Sequence, residues 1–313
     1  MTDSTSRPHP FRFGVNSVTT SLWEWQEIAR KAEAVGFDTL IAQDHFGKQF
    51  APLPALVAAG AVTVRLRLAT LVLDNDFRHP AALAKEAATV DVLTSGRLEL
   101  GLGAGWLPAD YAKTGLAFDP PDQRVERLSE AVQICKAFFT AEAETAISFT
   151  GKHYRIENLD ASPRPTQKPR PPIMIGGRQR RMLSLAAREA DIVGISLLDR
   201  RLPDQPAPPT FAQKVEWVRQ AAGGRFGDLQ IHVNASVVDV SDTPSDQYIE
   251  QMAERTGQSP GQVLESPGTL VGSVDAIVEQ LHARRERYAI SYYVIHARFM
   301  DAFAPVLARI HGS

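Results

Sequence analysis

Short apolar runs alternate along the chain with longer stretches whose apolar positions recur at helical spacing. An apolar run at 66–73 ends in a polar loop, Pro80 opens an amphipathic stretch, and Gly96 ends it before a second apolar run at 97–102. Proline is well tolerated at the first position of a helix, and strands joined through one helix are almost always parallel. The segment therefore predicts a strand–helix–strand unit with its functional side chains just after the strands.

The same alternation extends over most of the chain and predicts eight strands with intervening helices. This order is typical of a (β/α)8 TIM barrel, although an open doubly wound sheet alternates in the same way, and the pattern alone leaves both folds open. The predicted strands are 11–15, 39–42, 66–73, 97–102, 173–177, 191–194, 230–240 and 290–295. The predicted helices are 22–35, 53–61, one opening at Pro80, 123–139, 178–189, 211–222, one within 244–264, 273–287 and 301–310.

The region from about 140 to 172 breaks this rhythm. Two short β-like runs flank Gly151-Lys152, which predicts a hairpin, and five prolines then predict an extended segment. The region is too short to bury a core of its own. Residues 1–313 are therefore predicted to form a single domain with an insertion at about 140–172. A loose tail over the first ten residues and a proline-rich loop at 200–209 complete the prediction.

Composition and charge exclude several classes of partner. A net charge of −2 gives no reason to expect nucleic acid or an anionic membrane, and no apolar run approaches the length of a membrane span. The single cysteine, Cys135, lies in an amphipathic stretch and is predicted to be a buried structural thiol. These observations favour a cytoplasmic protein that acts on a small molecule.

Candidate chemistry follows the second predicted strand, where Asp44-His45-Phe46 stands. Histidine titrates near neutral pH and can exchange a proton beside a redox cofactor, and Asp44 is a candidate for fixing its tautomer. The alternative is a histidine that caps a loop.

The polar loop at 74–79 follows the third predicted strand. Its carboxylates suggest a hard metal ion, but Arg78 opposes a cation there, and a loop of turn-forming side chains is the commoner arrangement. Asn75 in this loop is a candidate hydrogen-bond partner for the edge of a cofactor ring.

Glycines follow two further strands. The run from Gly101 to Gly105 lacks the glycine spacing of a dinucleotide fingerprint, and Pro108 is expected to interrupt the helix that should follow, so these glycines are interpreted as making room for a flat ring or a phosphate. Gly176-Gly177-Arg178 precedes a predicted helix, which suits an anion. A tight turn with solvated arginines is the alternative there.

These motifs resemble one known family. Arg78-His79-Pro80, Ser95-Gly96-Arg97 and the run Gly101-Leu102-Gly103-Ala104-Gly105-Trp106 are similar to those of the bacterial-luciferase-like family, and more closely of its branch that uses the deazaflavin coenzyme F420. The resemblance extends from about residue 13 to 310. It implies a (β/α)8 barrel, hydride transfer between the deazaflavin and a small organic substrate, and a homodimer.

The resemblance also implies roles for single residues. His45 matches a histidine that the family places against the cofactor ring, and a non-proline cis peptide with a bulge against the back face of the flavin falls at Leu71-Val72. The predicted cofactor-binding residues are Thr70, Leu71, Val72, Asn75, Gly103, Ala104, Gly105, Gly176, Gly177 and Arg178. The predicted catalytic residues are His45 and Asp44, and the predicted substrate-binding residues are Asn16, Phe46 and Trp106.

One position departs from the glucose-6-phosphate dehydrogenase branch of that family, which carries a glutamate acid shortly after these glycines. Trp106 stands there instead, which predicts a less polar substrate. Two alternatives stay open: an FMN-dependent two-component monooxygenase and a non-catalytic flavin-binding protein. The chain contains no P-loop or H-E-x-x-H motif, which disfavours P-loop nucleotide hydrolases and zinc proteases, and no metal site is predicted.

Overall fold

The computed structural model describes residues 8–197, 208–243 and 245–312, without the side chains of residues 255 and 256. The predicted tail lies outside the described residues up to residue 7, and the predicted proline-rich loop lies outside them at 200–207. The strands are β1 (Arg12–Asn16), β2 (Thr39–Ala42), β3 (Arg67–Thr70), β4 (Leu73–Asp74), β5 (Leu98–Gly103), β6 (Ala146–Thr150), β7 (Arg155–Asp160), β8 (Ile173–Gly177), β9 (Ile192–Ile195), β10 (Gln230–Asn234), β11 (Val237–Val240), β12 (Thr269–Gly272) and β13 (Ile290–His296). The α-helices are α1 (Leu22–Val35), α2 (Pro52–Gly60), α3 (Pro80–Leu93), α4 (Pro108–Thr114), α5 (Pro121–Thr140), α6 (Arg180–Glu189), α7 (Phe211–Ala222), α8 (Asp246–Thr256), α9 (Pro260–Glu265), α10 (Val274–Tyr288) and α11 (Met300–His311).

The chain divides into two compact units. The first comprises the described parts of Met1–Asn16, Ala32–Asp38 and Gly177–Ser313, and the second comprises Ser17–Lys31 and Thr39–Gly176. The single-domain organisation stays a prediction.

In the second unit, parallel strands run in the order β2, β3, β5, β8. Thr39 pairs with Arg67, Leu68 with Leu98, and Leu100 with Ile173. The interior side chains of these strands are almost completely buried, and the one charge among them, Glu99, is paired with Arg67, since a buried carboxylate needs a partner. The predicted hairpin in the insertion is confirmed as the antiparallel pair β6–β7.

In the first unit, parallel strands run in the order β1, β13, β10, β9. Phe13 of β1 and Phe303 of α11 pack against each other with ring centroids 5.5 Å apart. A smaller apolar cluster, which includes Val237 and Val263, lies where α8 and α9 cover the two-stranded sheet β11–β12.

The fold class predicted from the sequence is confirmed. Within the described residues, parallel strands follow one another along the chain with helices between them, as in a (β/α)8 barrel; they are β1, β2, β3, β5, β8, β9, β10 and β13. No helix within the described residues is both long and apolar enough to cross a membrane.

Two predicted strands are wrong as continuous elements because the chain changes its pairing partner within each. The predicted strand 66–73 is split: Leu71 N still donates to Ala42 O, whereas Leu73 pairs with Leu102. The predicted strand 230–240 is split because Ala235 N donates to Val294 O but Val237 N donates to Gly268 O. Periodicity detects extended backbone, but it cannot show which strand the backbone bonds to.

The expectation that Pro108 interrupts a helix is wrong. Pro108 is the first residue of α4, after Leu107 in an extended conformation. Its missing N–H has no helical acceptor at that position, so proline starts the helix instead of breaking it. Two residues of α4, Asp110 and Tyr111, then become central to the candidate site.

Candidate active site

His45 follows β2 and is held by α4. Its Nδ1 lies 2.8 Å from Asp110 Oδ2, and the side chains are 33% and 3% exposed, respectively. Burial by itself raises the pKa of Asp110, but the hydrogen bond and the charge of His45, together with smaller contributions from the backbone N–H of Phe46 and the charge of Lys113, hold that pKa below its ordinary value. The imidazole therefore has one nitrogen fixed on a buried carboxylate while part of the ring remains accessible.

The prediction that Asp44 fixes the tautomer of His45 is wrong. Asp44 instead forms a two-point ion pair with Arg78, with Nη1–Oδ2 and Nη2–Oδ1 distances of 2.5 and 3.1 Å, and it also accepts from Asp74 N. A forked guanidinium–carboxylate pair fixes both groups. Asp44 thus ties the end of β2 to the loop after β4.

Behind this loop, a tyrosine bridges two carboxylates. The hydroxyl of Tyr111 donates to Asp74 Oδ1 at 3.0 Å and lies 3.1 Å from Asp76 Oδ2. Burial raises the pKa of Asp74 to about 6, and the charges of Asp76 and Asp44 add to the increase. Arg127 on α5 pairs with Asp76 and compensates part of this negative charge.

The bulge between β3 and β4 contains the cis peptide expected from the resemblance. The Leu71-Val72 bond is cis, and both side chains are partly exposed. The side chain of Val72 lies against three glycines: added Cβ atoms would be 3.3 Å from it at Gly101, 2.6 Å at Gly103 and 3.3 Å at Gly176. The bulge itself leaves little room for side chains at these three positions. The glycines there do not by themselves indicate a bound cofactor.

The hydroxyl of Thr70 is used within the protein. It donates to Gly101 O at 2.9 Å and accepts from Gly101 N at 2.8 Å, and Thr70 is fully buried. The Thr70 hydroxyl therefore joins β3 to β5, next to the predicted cofactor site.

Ala104 and Gly105 follow β5 and are held by a buried arginine. Arg124 on α5 donates to both of their carbonyl oxygens, at 2.8 Å for Ala104, and its guanidinium stacks over Phe118. Gly105 has a φ of +74°, and a Cβ there would overlap Tyr111. The glycine run is thus fixed by α4 and α5, which sequence reasoning did not connect with it.

Asn75 carries a buried polar atom that lacks a partner. The residue is fully buried, its Nδ2 donates to the hydroxyl of Tyr154 at 3.2 Å, and its Oδ1 accepts from no group within the described residues. Such orphaned acceptors are uncommon in folded proteins and call for a donor.

Two predicted substrate-binding side chains present apolar surface near His45. Trp106 is 61% exposed, and its ring lies edge-on to that of His45 with centroids 5.8 Å apart. Phe46 is 48% exposed and contacts Phe77 edge-on. Both rings keep free surface for an apolar ligand.

The remaining predicted residues lie at the ends of β1 and β8. Asn16, the last residue of β1, has a buried Oδ1 without a partner among the described residues. Gly177 is closely packed, since a Cβ there would overlap Met182, and Arg178 is exposed. Helix α6 begins at Arg180, and its N-cap residue Gln179 makes no side-chain cap hydrogen bond.

The residues present fit a flavin-type ring. The pyrimidine ring shared by FMN and the deazaflavin has a ring N–H, which the buried Oδ1 of Asn75 can accept, and His45 supplies an imidazole that can donate or accept a proton. Within the described residues, no group of His, Cys, Asp and Glu side chains is arranged to hold a metal ion.

Two curated relatives are similar to part of the chain. The chain is 34% identical over 194 residues to an F420-dependent glucose-6-phosphate dehydrogenase of Nakamurella multipartita, covering 59% of this chain and 56% of that protein. It is 28% identical over 172 residues to an FMNH2-dependent dimethylsulfone monooxygenase of Pseudomonas putida, covering 53% of this chain and 46% of that protein. The chain thus spans about half the length of these curated relatives.

The fold is similar to that of a solved coenzyme F420-dependent tetrahydromethanopterin reductase from Methanopyrus kandleri. The TM-score is 0.75 at 18% identity, and the match covers 96% of this chain and 97% of that one. The luciferase-like monooxygenase family model matches residues 8–238, a stretch that contains the His45–Asp110 pair, the Leu71-Val72 bulge and the glycine runs. The chain therefore belongs to the luciferase-like monooxygenase family.

Proposed function

We propose that the protein is an oxidoreductase that binds coenzyme F420 and transfers a hydride between this deazaflavin and a small organic substrate. The observation that carries the proposal is the partly exposed imidazole of His45, held at the carboxyl end of β2. A hydride transfer to or from a carbonyl, imine or alcohol needs a matching proton transfer, and histidine performs it near neutral pH. The F420-dependent relative is consistent with this choice.

The bound cofactor supplies the hydride chemistry at its ring carbon. The residues of this chain orient it and manage the proton. The Oδ1 of Asn75 would accept from the ring edge, Val72 would contact one face of the ring, and His45 would exchange the proton with the substrate. Gly176-Gly177-Arg178 and the first turn of α6 are proposed to bind a cofactor phosphate, since helix amides and a guanidinium suit an anion.

The proposed substrate is less polar than a sugar phosphate. Trp106 stands where the family resemblance places the glutamate acid of the glucose-6-phosphate dehydrogenase branch, and its exposed ring contacts His45. An aromatic surface at this position favours activated enones, imines or secondary alcohols over glucose 6-phosphate.

A second candidate function is an FMN-dependent monooxygenase fed by a partner reductase, which the dimethylsulfone monooxygenase relative favours. Parallel fluorescence titrations with coenzyme F420 and FMN separate the two. We expect the deazaflavin to bind more tightly, and tighter FMN binding together with oxygen consumption by reduced FMN would reverse the assignment.

The third possibility, a flavin-binding protein without catalysis, predicts binding but no turnover with any substrate of a panel of enones, imines and alcohols.

We also propose, from the family resemblance, that the protein is a homodimer in the cytoplasm. Light scattering at micromolar concentration checks the dimer, and a monomeric mass would refute it.

A further inference from the structure

Helix α4 contacts the segment His45-Phe46 at two points. Asp110 Oδ2 lies 2.8 Å from His45 Nδ1, and Lys113 Nζ donates to Phe46 O at 2.9 Å. The side chain of Asp110 is 3% exposed, whereas that of Lys113 is 55% exposed. The contact to the ring is therefore made by a buried carboxylate.

We propose that Asp110 is a positioning residue that keeps a hydrogen on Nδ1 of His45 and thereby makes Nε2 the atom that exchanges protons with the substrate. This inference rests on the proposed function, because it assigns an atom to the proton step of that reaction. Within the described residues, no group forms a hydrogen bond to Nε2. The nitrogen away from Asp110 is thus left for a ligand.

The protonation state of the pair follows from the carboxylate. The pKa of Asp110 lies below its ordinary value, so the group is ionised at neutral pH and can only accept hydrogen bonds. The hydrogen between the two groups must then belong to Nδ1. A neutral imidazole has one N–H and one lone pair, so the lone pair of His45 lies on Nε2.

The His45–Asp110 pair accounts for both the proton and the charge in this step. When a substrate O–H or N–H bond breaks, its proton forms an Nε2–H bond, and the ring becomes a cation. The carboxylate of Asp110 compensates that charge at 2.8 Å. In the reverse direction the Nε2–H bond breaks, the proton returns to the substrate oxygen or nitrogen, and the ring is again neutral.

The tautomer can be measured without a substrate by ¹⁵N NMR of imidazole-labelled protein, with the His45 signals assigned by their loss in His45→Ala. With the ring neutral, we expect Nδ1 to show the chemical shift of an N–H nitrogen and Nε2 that of a nitrogen without a hydrogen. Asp110→Ala should abolish this preference, and Asp110→Asn, which keeps the side-chain volume, should yield a mixture. Lys113→Ala removes the contact to Phe46 O and the 3.6 Å ion pair with Asp110 Oδ1 but leaves Asp110 Oδ2 next to Nδ1, so it should retain the wild-type pattern.

An Nε2–H tautomer in the wild type, or an unchanged pattern in both Asp110 variants, would overturn the proposal. Kinetics test the consequence: Asp110→Asn should lower the single-turnover transfer rate about 10²-fold or more and leave the dissociation constant of F420 nearly unchanged. An unchanged rate with an altered tautomer would overturn the functional part. If wild-type protein fails to bind F420, the proposed function fails, while the NMR result still decides the tautomer.

Discussion

Asn75 Nδ2 donates a hydrogen bond to the hydroxyl of Tyr154 at 3.2 Å, which joins the loop after β4 to the insertion. Tyr154 lies in the turn between β6 and β7, and Glu130 on α5 anchors that turn by accepting from the backbone N–H groups of Lys152, His153 and Tyr154. The insertion thus supplies the partner that orients the Asn75 amide and leaves its Oδ1 for a ligand.

Replacing Tyr154 by phenylalanine should weaken cofactor binding. The buried amide of Asn75 loses its acceptor and is free to turn, so we expect a loss of about 1 kcal/mol, or roughly five-fold in the dissociation constant, for F420 and FMN alike. Fluorescence titration measures this. Lys152→Ala in the same turn, whose side chain is 69% exposed, is the matched control and should bind as the wild type does. Equal affinities in both variants would show that Asn75 needs no support from the insertion.

The N-terminus of α6 allows stability and binding to be separated. Gln179 has an extended conformation suited to an N-cap, so Gln179→Asp should cap the helix and stabilise the protein by about 1 kcal/mol. The same carboxylate would repel a phosphate at this turn, so cofactor affinity should fall. Thermal unfolding and titration give the two values, with Gln179→Ala as the uncharged control. Increased stability with unchanged affinity would contradict a phosphate site at this turn.

The glycines around Val72 should respond differently to a second substitution. Gly103→Ala places a Cβ 2.6 Å from Val72 Cγ2, whereas Gly101→Ala overlaps the carbonyl oxygen of Thr70, which is backbone. Each single variant should lower the free energy of unfolding by about 1–3 kcal/mol. Adding Val72→Ala should restore stability to Gly103→Ala but not to Gly101→Ala, and urea unfolding measures this coupling. Gly47→Ala, which has open space, is the control.

Stability should depend on pH through Asp74. Its folded-state pKa of about 6 exceeds the ordinary value of 3.8, so the folded protein binds the proton more tightly than the unfolded chain does. The associated stabilisation is fully present below the ordinary value and is lost as the pH rises through about 6. When the pH is lowered from about 7.5 to about 4.5, the free energy of unfolding of the wild type should rise by about 2 kcal/mol relative to that of Asp74→Asn. Parallel urea titrations at the two pH values measure the difference, and equal pH responses in the two proteins would contradict the raised pKa.

His45→Ala should affect chemistry more than binding. General acid–base catalysis contributes about 10²–10⁴-fold in rate, whereas one lost neutral hydrogen bond weakens affinity by only about 1 kcal/mol. We expect the single-turnover hydride-transfer rate to fall far more than F420 affinity, once a substrate is found in the panel of enones and imines. If the mutant instead kept the wild-type rate while cofactor binding collapsed, His45 would be a binding residue.

The sequence by itself determined the elements and much of the candidate site. Helices α1 and α7 and strand β2 have the predicted boundaries, because local patterning and end signals such as Gly36 and Gly223 decide them. The cis bond at Leu71-Val72 followed from resemblance to a family and is confirmed.

Only the tertiary structure decided which groups meet. The partner of His45 is 65 residues away on a helix that the sequence did not predict, not the adjacent Asp44. Tyr154 is likewise 79 residues from Asn75. Residue type and spacing along the chain restrict what a side chain can do, but a hydrogen bond requires two atoms within about 3 Å of each other. That distance is set by how the strands and helices pack, which no local pattern encodes.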